Sequence, residues 1–496
     1  MKSTIAILII IFFPALFFRS PAQDFYSIDD SLSGIYSEGD KGWKQFRRGR
    51  YFWRLRTYPD GKFPGFGRMI GINRSVRNFT KNNRNQPFAD EWRELGPRDY
   101  TTRINPEWYG SGRINCVMTH PFEPNLIWAG AATGGLWKST DLGRSWEPMP
   151  LGDFMSVGIS DIAMAPADPD LIYIATGDAD GSELWGGYSL GLLRSTDGGV
   201  HWTNLTSGLD LEDQFIISRV ALHPDEPFRI TIASNRGVWN YNPDAKQWDS
   251  SMSHLKFRDL ERHPGEPNIL YAAANDDQDG YIFRSADFGK NWKRMYICDS
   301  AQRIELAVSP AAADNLWALI SEKKFNSFKN LIVSDDRGAG WDTIDVSDPL
   351  KLRSEIIVAQ AFYNLELAVD PFDPDLMFLA GVNAARSYDG GRSWSVPAGS
   401  HVDHHDLHFS HDGHIISGND GGVFRMPVTG NAWQNRSRGL GITQFYRIGN
   451  SPMDASVFFG GSQDNCTFRH SADSWKHISS GDGMEVIVDY SNPQRV

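Results

Sequence analysis

The feature that most constrains this chain is a repeat. Ser-x-Asp-x-Gly-x-x-Trp occurs at Ser139/Asp141/Gly143/Trp146, Ser195/Asp197/Gly199/Trp202, Ser285/Asp287/Gly289/Trp292, Ser334/Asp336/Gly338/Trp341 and Ser387/Asp389/Gly391/Trp394. Worn copies keep the Trp and the register but lose the polar residues; they run from Tyr241 to Trp248, from Met426 to Trp433, and up to Trp475. A Gly two residues after an Asp permits a positive-φ turn, and short Ser and Asp side chains can bond backbone amides inside it. The Trp then offers an apolar body that packs between neighbouring sheets. These Ser, Asp and Trp residues are therefore assigned structural, not catalytic, roles.

A similar stretch precedes each copy. Leu365 to Gly381 reads as an alternating strand, a Pro-bearing turn and an apolar strand, and Asn115 to Gly130, Asp161 to Gly177, Val220 to Ala233 and Ile304 to Leu319 follow the same plan. With the Asp-motif hairpin, each unit holds four strands in roughly 40 to 55 residues, the size of a propeller blade. The expected fold is all-β, a β-propeller of about seven to eight four-stranded blades with Asp-box hairpins. Val488 to Pro493 aligns on Val369 to Pro374, so a further, truncated repeat is expected over 481–496, as in the first part of a two-propeller protein. The propeller itself is placed at 92–480.

Several short signatures accompany the repeats: Glu94-Leu95-Gly96-Pro97, Thr176-Gly177-Asp178, His401-Val402-Asp403-His404-His405, Gly418-Asn419-Asp420-Gly421-Gly422, Gly460 to Asn465 and Gly481-Asp482-Gly483. Together with the Asp boxes they resemble the BNR, sialidase-type propellers, in the branch containing the sortilin N-terminal domain and the xyloglucanases, and most closely secreted bacterial members. The resemblance covers Trp92 to Val496. It implies a propeller fold and, in the xyloglucanases, a catalytic Asp two positions before the Gly-Gly of the first repeat. Here that position is Ala132. Sialidases carry an Arg-Ile-Pro signature that this chain lacks.

The N-terminus bears on the compartment. Lys2 precedes an apolar run, Ile5 to Phe18, and Ser20 and Ala22 lie ahead of Gln23, the pattern of a signal peptide over 1–22. Residues 23–91 read as an extension and linker. Within it, Trp43 to Arg56 mixes basic and aromatic residues, which suits a helix docked by its aromatics better than a nucleic-acid or acidic-glycan site. The formal charge of -12 opposes general affinity for nucleic acid or anionic membranes. Three cysteines exclude a disulfide-stapled scaffold. A secreted, periplasmic or outer-surface protein without a transmembrane segment after signal cleavage is the expectation.

Ligand binding is expected on the face opposite the Asp boxes, where the loops joining second to third strands are rich in carboxylates. They are Thr176 to Gly181, Asn275 to Gly280, Gly418 to Gly422 and Ser462 to Asn465. The candidate ligand-binding residues are Asp178, Asp180, Trp185, Tyr188, His404, His405, Asp420, Gln463 and Asp464, with Asp178, Asp420 and Asp464 the carboxylates available for catalysis. Six histidines fall between positions 401 and 414. Strict alternation would put His404, Asp406 and His408 on one face, where they form either a Zn2+ site or a metal-free His–Asp belt. Loop carboxylates are also suited to Ca2+. Three functions compete: a noncatalytic module binding a polysaccharide, peptide or protein; a xyloglucanase-like glycoside hydrolase using two Asp carboxylates; and a structural surface module.

Overall fold

A computed structural model describes residues 94–101, 110–151, 157–181, 189–211, 215–479 and 481–490, with Ser75, Asn492 and Arg495. The signal-peptide and basic–aromatic expectations fall outside these residues, as do Trp185 and Tyr188. The described chain forms eight sheets, seven of which keep their strands in sequence order. Seven of them, within residues 114–435, are blades of one propeller, numbered here 1 to 7. The first strand of each blade touches the first strands of both flanking blades, and Ile114–Thr119 of blade 1 touches His404–Ser410 of blade 7, so the ring closes at seven. Blade 6 differs in having three strands, with Arg386 bridged to Ser395 in place of a fourth.

The apolar alternation of second and third strands fills the gaps between blades. One buried cluster occupies each of the seven gaps, from Cys116, Trp128, Ile159 and Ile174 between blades 1 and 2 round to Ile114, Val117, Ile416 and Val423 between blades 7 and 1. The Asp boxes close the outer hairpins. In the first, Ser139 Oγ donates to Asp141 Oδ1 at 2.9 Å while accepting from Gly143 N at 2.8 Å, and Asp141 Oδ1 accepts from Ser145 N at 2.8 Å. The other four boxes repeat this pattern. The Trp residues were expected to be equally buried, but only Trp146 of the five is; Trp202, Trp292, Trp341 and Trp394 are half-buried. Trp146 lies in the closing gap, where Nε1 donates to Arg436 O of blade 7 at 2.6 Å.

Ring closure accounts for the Gly418 to Gly422 signature. Ser111 N donates to Gly421 O at 2.9 Å, and a Cβ on Gly110 would lie 2.0 Å from Gly421 Cα, so the backbones meet only because residue 110 is glycine, while a Cβ on Gly421 would lie 2.5 Å from His401 Cβ. The eighth sheet, within 445–477, stands outside the ring. Its outer strand pairs in parallel with Tyr100–Thr101, and Trp475 Nε1 donates to Leu95 O at 2.6 Å. Among the described residues no helix is long and apolar enough to cross a membrane, which does not bear on β-barrels.

Candidate functional site

The first strands line the central channel, and they carry charge where the outer strands carry aliphatic side chains. Each first strand except that of blade 6 has a register shift near its start: at Asn115, Ser160, Ser218, Arg258, Gln302 and His405 the pairing with the second strand skips a residue. A bulge swings the following side chains off the alternating register. Arg303 is thereby held by Glu305 at 3.1 Å and Glu366 at 3.3 Å, and Arg219 by Glu305 at 3.0 Å and Asp259 at 3.5 Å. A cavity of about 360 Å³, lined by Asp161, Arg219, Glu261, Asp406 and His408 among others, lies toward the ends of the strands that lead into the Pro turns.

At the opposite mouth, loops from several blades converge. The Thr176 to Gly181 loop of blade 2 dips into the channel: Asp178 pairs with Arg113 of blade 1, and Arg258 of blade 4 donates to Ala179 O. Asp180 meets Arg303 of blade 5 at 2.9 Å and His405 Nδ1 of blade 7 at 2.8 Å. His405 is fully buried, and its Nε2 lies 3.0 Å from Asp420 Oδ1. Tyr363, just before blade 6, donates its hydroxyl to Asp420 at 3.0 Å and accepts from Arg113 at 2.8 Å, with its ring edge-on to His405 at 4.6 Å. Asp403 Oδ1 accepts from Asn364 Nδ2 at 2.8 Å and from Gln360.

The eighth sheet completes this cluster. Asn465 Nδ2 donates to Asp420 O at 2.9 Å, and Asp464 N donates to Asp482 Oδ1 at 2.9 Å. Asp403 and Asp464 both adopt left-handed backbone, with φ of 62° and 54°. Strain of this kind persists only where the surroundings hold it, and it gathers at functional sites.

The environment separates the protonation states of these groups. Burial, then the neighbouring Asp420 anion, pushes Asp464 up to about 8 and Asp403 up to about 7. Burial also opposes ionisation of Asp420, but the bond from His405 and the charges of His405 and Arg113 outweigh it and hold Asp420 below the usual carboxylate range. Burial disfavours charge on His405, yet its bonds to Asp180 and Asp420 raise it to about 9. An ionised carboxylate beside a neutral one, in a cleft, is the arrangement used for acid–base chemistry.

The structure brings Asp178, Asp180, His405, Asp420 and Asp464 together. Gln463 lies beside them, its backbone N bonded to Gln444 O. The fourth acidic loop does not join: Asp276 folds back on its own turn, accepting from Gln278 N and Asp279 N at 2.7 Å each. His404 does not share a face with Asp406 and His408, which both line the cavity. The bulge at His405 breaks the alternation, and each takes a separate partner: His404 Nδ1 the Ser417 hydroxyl at 2.7 Å, Asp406 Oδ2 the Val117 amide at 2.6 Å, His408 Nε2 the Thr119 hydroxyl at 2.8 Å. Burial lowers His404 to about 3 and His408 to about 4. Among the described residues no three His, Cys, Asp or Glu side chains are arranged to hold a metal ion, so neither the Zn2+ nor the Ca2+ expectation has a built site there.

Sequence reasoning missed Arg113, Arg303, Tyr363 and Asp403 as members of the mouth. Charged residues in otherwise apolar first strands, as in Arg303-Ile304-Glu305 and Glu366, were the available signal, because a propeller's innermost strands face its channel.

Comparison with known proteins places this geometry. A BNR-Asp box repeat model matches residues 282–295. A xyloglucanase from Acetivibrio thermocellus is 24% identical over 58% of this chain and 38% of its own length. A xyloglucanase from a Paenibacillus species is 23% identical over 66% of this chain and 26% of its own. The chain thus spans well under half the length of these relatives. The crystal structure of an ancestral GH74 enzyme superposes with a TM-score of 0.54 at 15% identity, covering 75% of this chain and 55% of that one, a likeness of fold.

Proposed function

We propose that this chain, an Asp-box repeat β-propeller of the xyloglucanase-like kind, is a glycoside hydrolase that receives a polysaccharide on its loop face and protonates the leaving sugar from Asp464. The observation that carries the reading is the state of Asp464. It is half-buried at the rim and, pushed up to about 8 by burial and by Asp420, stays protonated at neutral pH. A neutral carboxyl at the operating pH is what a general acid requires. Relatives described as xyloglucanases favour a glycan over a peptide or protein ligand, and so favour hydrolysis over the simple binding module expected first.

Asp420 does not serve as the second carboxylate. Its oxygens are taken up by His405 Nε2 and the Tyr363 hydroxyl, each at 3.0 Å. Asp178 and Asp180 are consumed by Arg113, Arg303 and His405. A secreted or cell-surface location suits a polysaccharide substrate and the apolar run at Ile5 to Phe18.

The test is reducing-sugar release from xyloglucan and a panel of plant and microbial glycans, with Asp464→Asn beside the parent protein. Release that falls at least about 100-fold in the variant supports the acid role, by the usual size of such effects; undiminished release refutes it. A second reading, glycan binding without cleavage, is favoured by one observation: Ala132 occupies the position of the first-repeat catalytic Asp of the family it resembles, buried and bonded through its N to Arg113 O. Binding in affinity electrophoresis with no release from any glycan selects that reading.

A further inference from the structure

Away from the mouth, on the face that carries the Asp boxes, positive charge gathers at the seam that closes the ring. The third strand of blade 7, Gly422–Pro427, turns Val423 into the apolar filling between blades 7 and 1. Alternation puts Arg425 on the same side of the sheet. Arg425 pairs across to Gln434, and Arg436 N donates to Val423 O at 2.8 Å, so Arg436 is the diagonal neighbour of Arg425 on that side. Blade 1 supplies a third arginine. The turn of its Asp box packs so closely on blade 7 that a Cβ on Gly143 would lie 3.0 Å from Arg436 Cβ, and the next residue is Arg144.

Anions do not match these three guanidiniums. Arg144 is exposed, and its side chain makes no hydrogen bond or ion pair among the described residues. Arg436 Nη2 donates to the neutral Gln434 Oε1 at 2.6 Å. Only Arg425 meets a carboxylate, that of Asp412, which also accepts from the Ser410 hydroxyl at 2.5 Å and faces His414 at 3.2 Å. Asp141, the other acid of the seam, is occupied within its own box by Ser139, Arg144 N and Ser145. Arg425 Nε and Arg436 Nε are buried without an acceptor. Burial lowers both arginines from their usual value; Asp412 opposes this at Arg425 and Asp141 at Arg436, while the charge of Arg144 adds to it at both. In a chain of formal charge -12 the seam is a local excess of cation.

We propose that this seam is a second binding site, on the face opposite the mouth, in which Arg144, Arg425 and Arg436 hold one oxyanion, the carboxylate or sulfate group of an acidic sugar. Planar guanidinium forks match the paired oxygens of such groups. The ligand carries sparse charge: nucleic acid or an anionic membrane would press dense phosphate against a protein whose net charge repels it, whereas one oxyanion on a glycan meets only the seam. Arg425 and Arg436 come from the last blade and Arg144 from the first, so the bound group also bridges the closure. The site is independent of Asp464 and of hydrolysis.

The test is calorimetric titration of the full chain with two probes, an oligogalacturonate and a sulfated galactan oligomer, in about 0.15 M salt so that loose ion pairing is screened. Saturable binding of at least one is expected, and the tighter probe identifies the oxyanion. Arg144→Gln should weaken it at least about tenfold, the usual worth of a hydrogen bond to a charged group. Asp412→Asn releases Arg425 from its internal anion and should tighten binding severalfold, a change opposite in sign to simple damage. Excess neutral xyloglucan should not displace either probe. Circular dichroism establishes that each variant is folded; should Arg144→Gln not fold, Asp412→Asn decides. The assignment is overturned by absence of saturable binding to both probes, by equal affinity in the parent and Arg144→Gln, or by displacement with xyloglucan, which would put the acidic probe at the mouth.

Discussion

Trp146→Ala should be the most costly of the five Asp-box tryptophan replacements, because Trp146 alone among them is buried in the gap that closes the ring. It is 4% exposed and packs with Ile114, Val117, Ile416 and Leu440. Truncating a buried Trp costs about 3 to 5 kcal/mol. Losing the 2.6 Å bond from Nε1 to Arg436 O adds about 1 kcal/mol. Trp292 makes the equivalent packing between blades 3 and 4 but is half-buried, and its Nε1 donates mainly within its own box, to Gly289 O at 2.9 Å. Its replacement should cost roughly half as much, about 2 kcal/mol, in proportion to the area removed from water. Urea unfolding monitored by circular dichroism reads both, with the comparison made at unchanged m-value. Hydrogen exchange should also show Trp146→Ala loosening the strands of blades 1 and 7 before any others. If the two variants cost the same, or if Trp146→Ala costs under about 1 kcal/mol, the closing gap is not where the ring is held.

Three further outcomes are expected. Stability should fall as pH rises from about 7 to 9, above the range in which the lowered His404 and His408 act in the opposite sense: Asp406 at about 7, Asp464 and Glu305 at about 8 and His405 at about 9 all bind protons more tightly folded than unfolded, so the folded state loses its advantage on deprotonation. A Tm that rises steadily over this range refutes the assignment of those groups. Arg303→Met should cost about 3 to 5 kcal/mol by leaving the Asp180 anion buried without its cation; adding Asp180→Asn should recover part of the loss, and a double variant no more stable than the single one refutes the pairing. His404→Ala should destabilise to the same extent with zinc or with chelator, since the ring's partner is Ser417; a loss seen only with zinc present would restore the metal reading.

The fold was legible because the Asp box is a local structure. Ser139, Asp141, Gly143 and Trp146 specify one turn without help from the rest of the chain, and their spacing reports blade length. The number of blades in the ring was less legible, since Trp475 marks a unit as well as Trp433 does, and only the contact between Ile114–Thr119 and His404–Ser410 decides which unit closes on blade 1. The loop face was legible from its carboxylates, and Asp178, Asp420 and Asp464 do meet there. Their partners were not, because Arg113 lies 65 residues from Asp178 and 250 from Tyr363, Arg303 lies 123 from Asp180 and Tyr363 lies 57 from Asp420, and no local pattern encodes such pairs. The shared face of His404, Asp406 and His408 failed for a different reason: a bulge inserts one residue, and alternation counted across it inverts.

The carboxylates that cap the bulges bind blades in twos. Asp161 Oδ2 of blade 2 takes the Val220 amide of blade 3, Asp259 Oδ2 of blade 4 takes the Leu306 amide of blade 5, and Asp406 Oδ2 of blade 7 takes the Val117 amide of blade 1, each at 2.6 Å. A ring with an odd number of members cannot be divided wholly into couples. The one left over is blade 6, which also lacks the bulge and the full fourth strand. The segment entering it carries Gln360, Tyr363 and Asn364 to the mouth, so the blade left out of the couples is the one whose leading segment holds the Asp403 and Asp420 carboxylates.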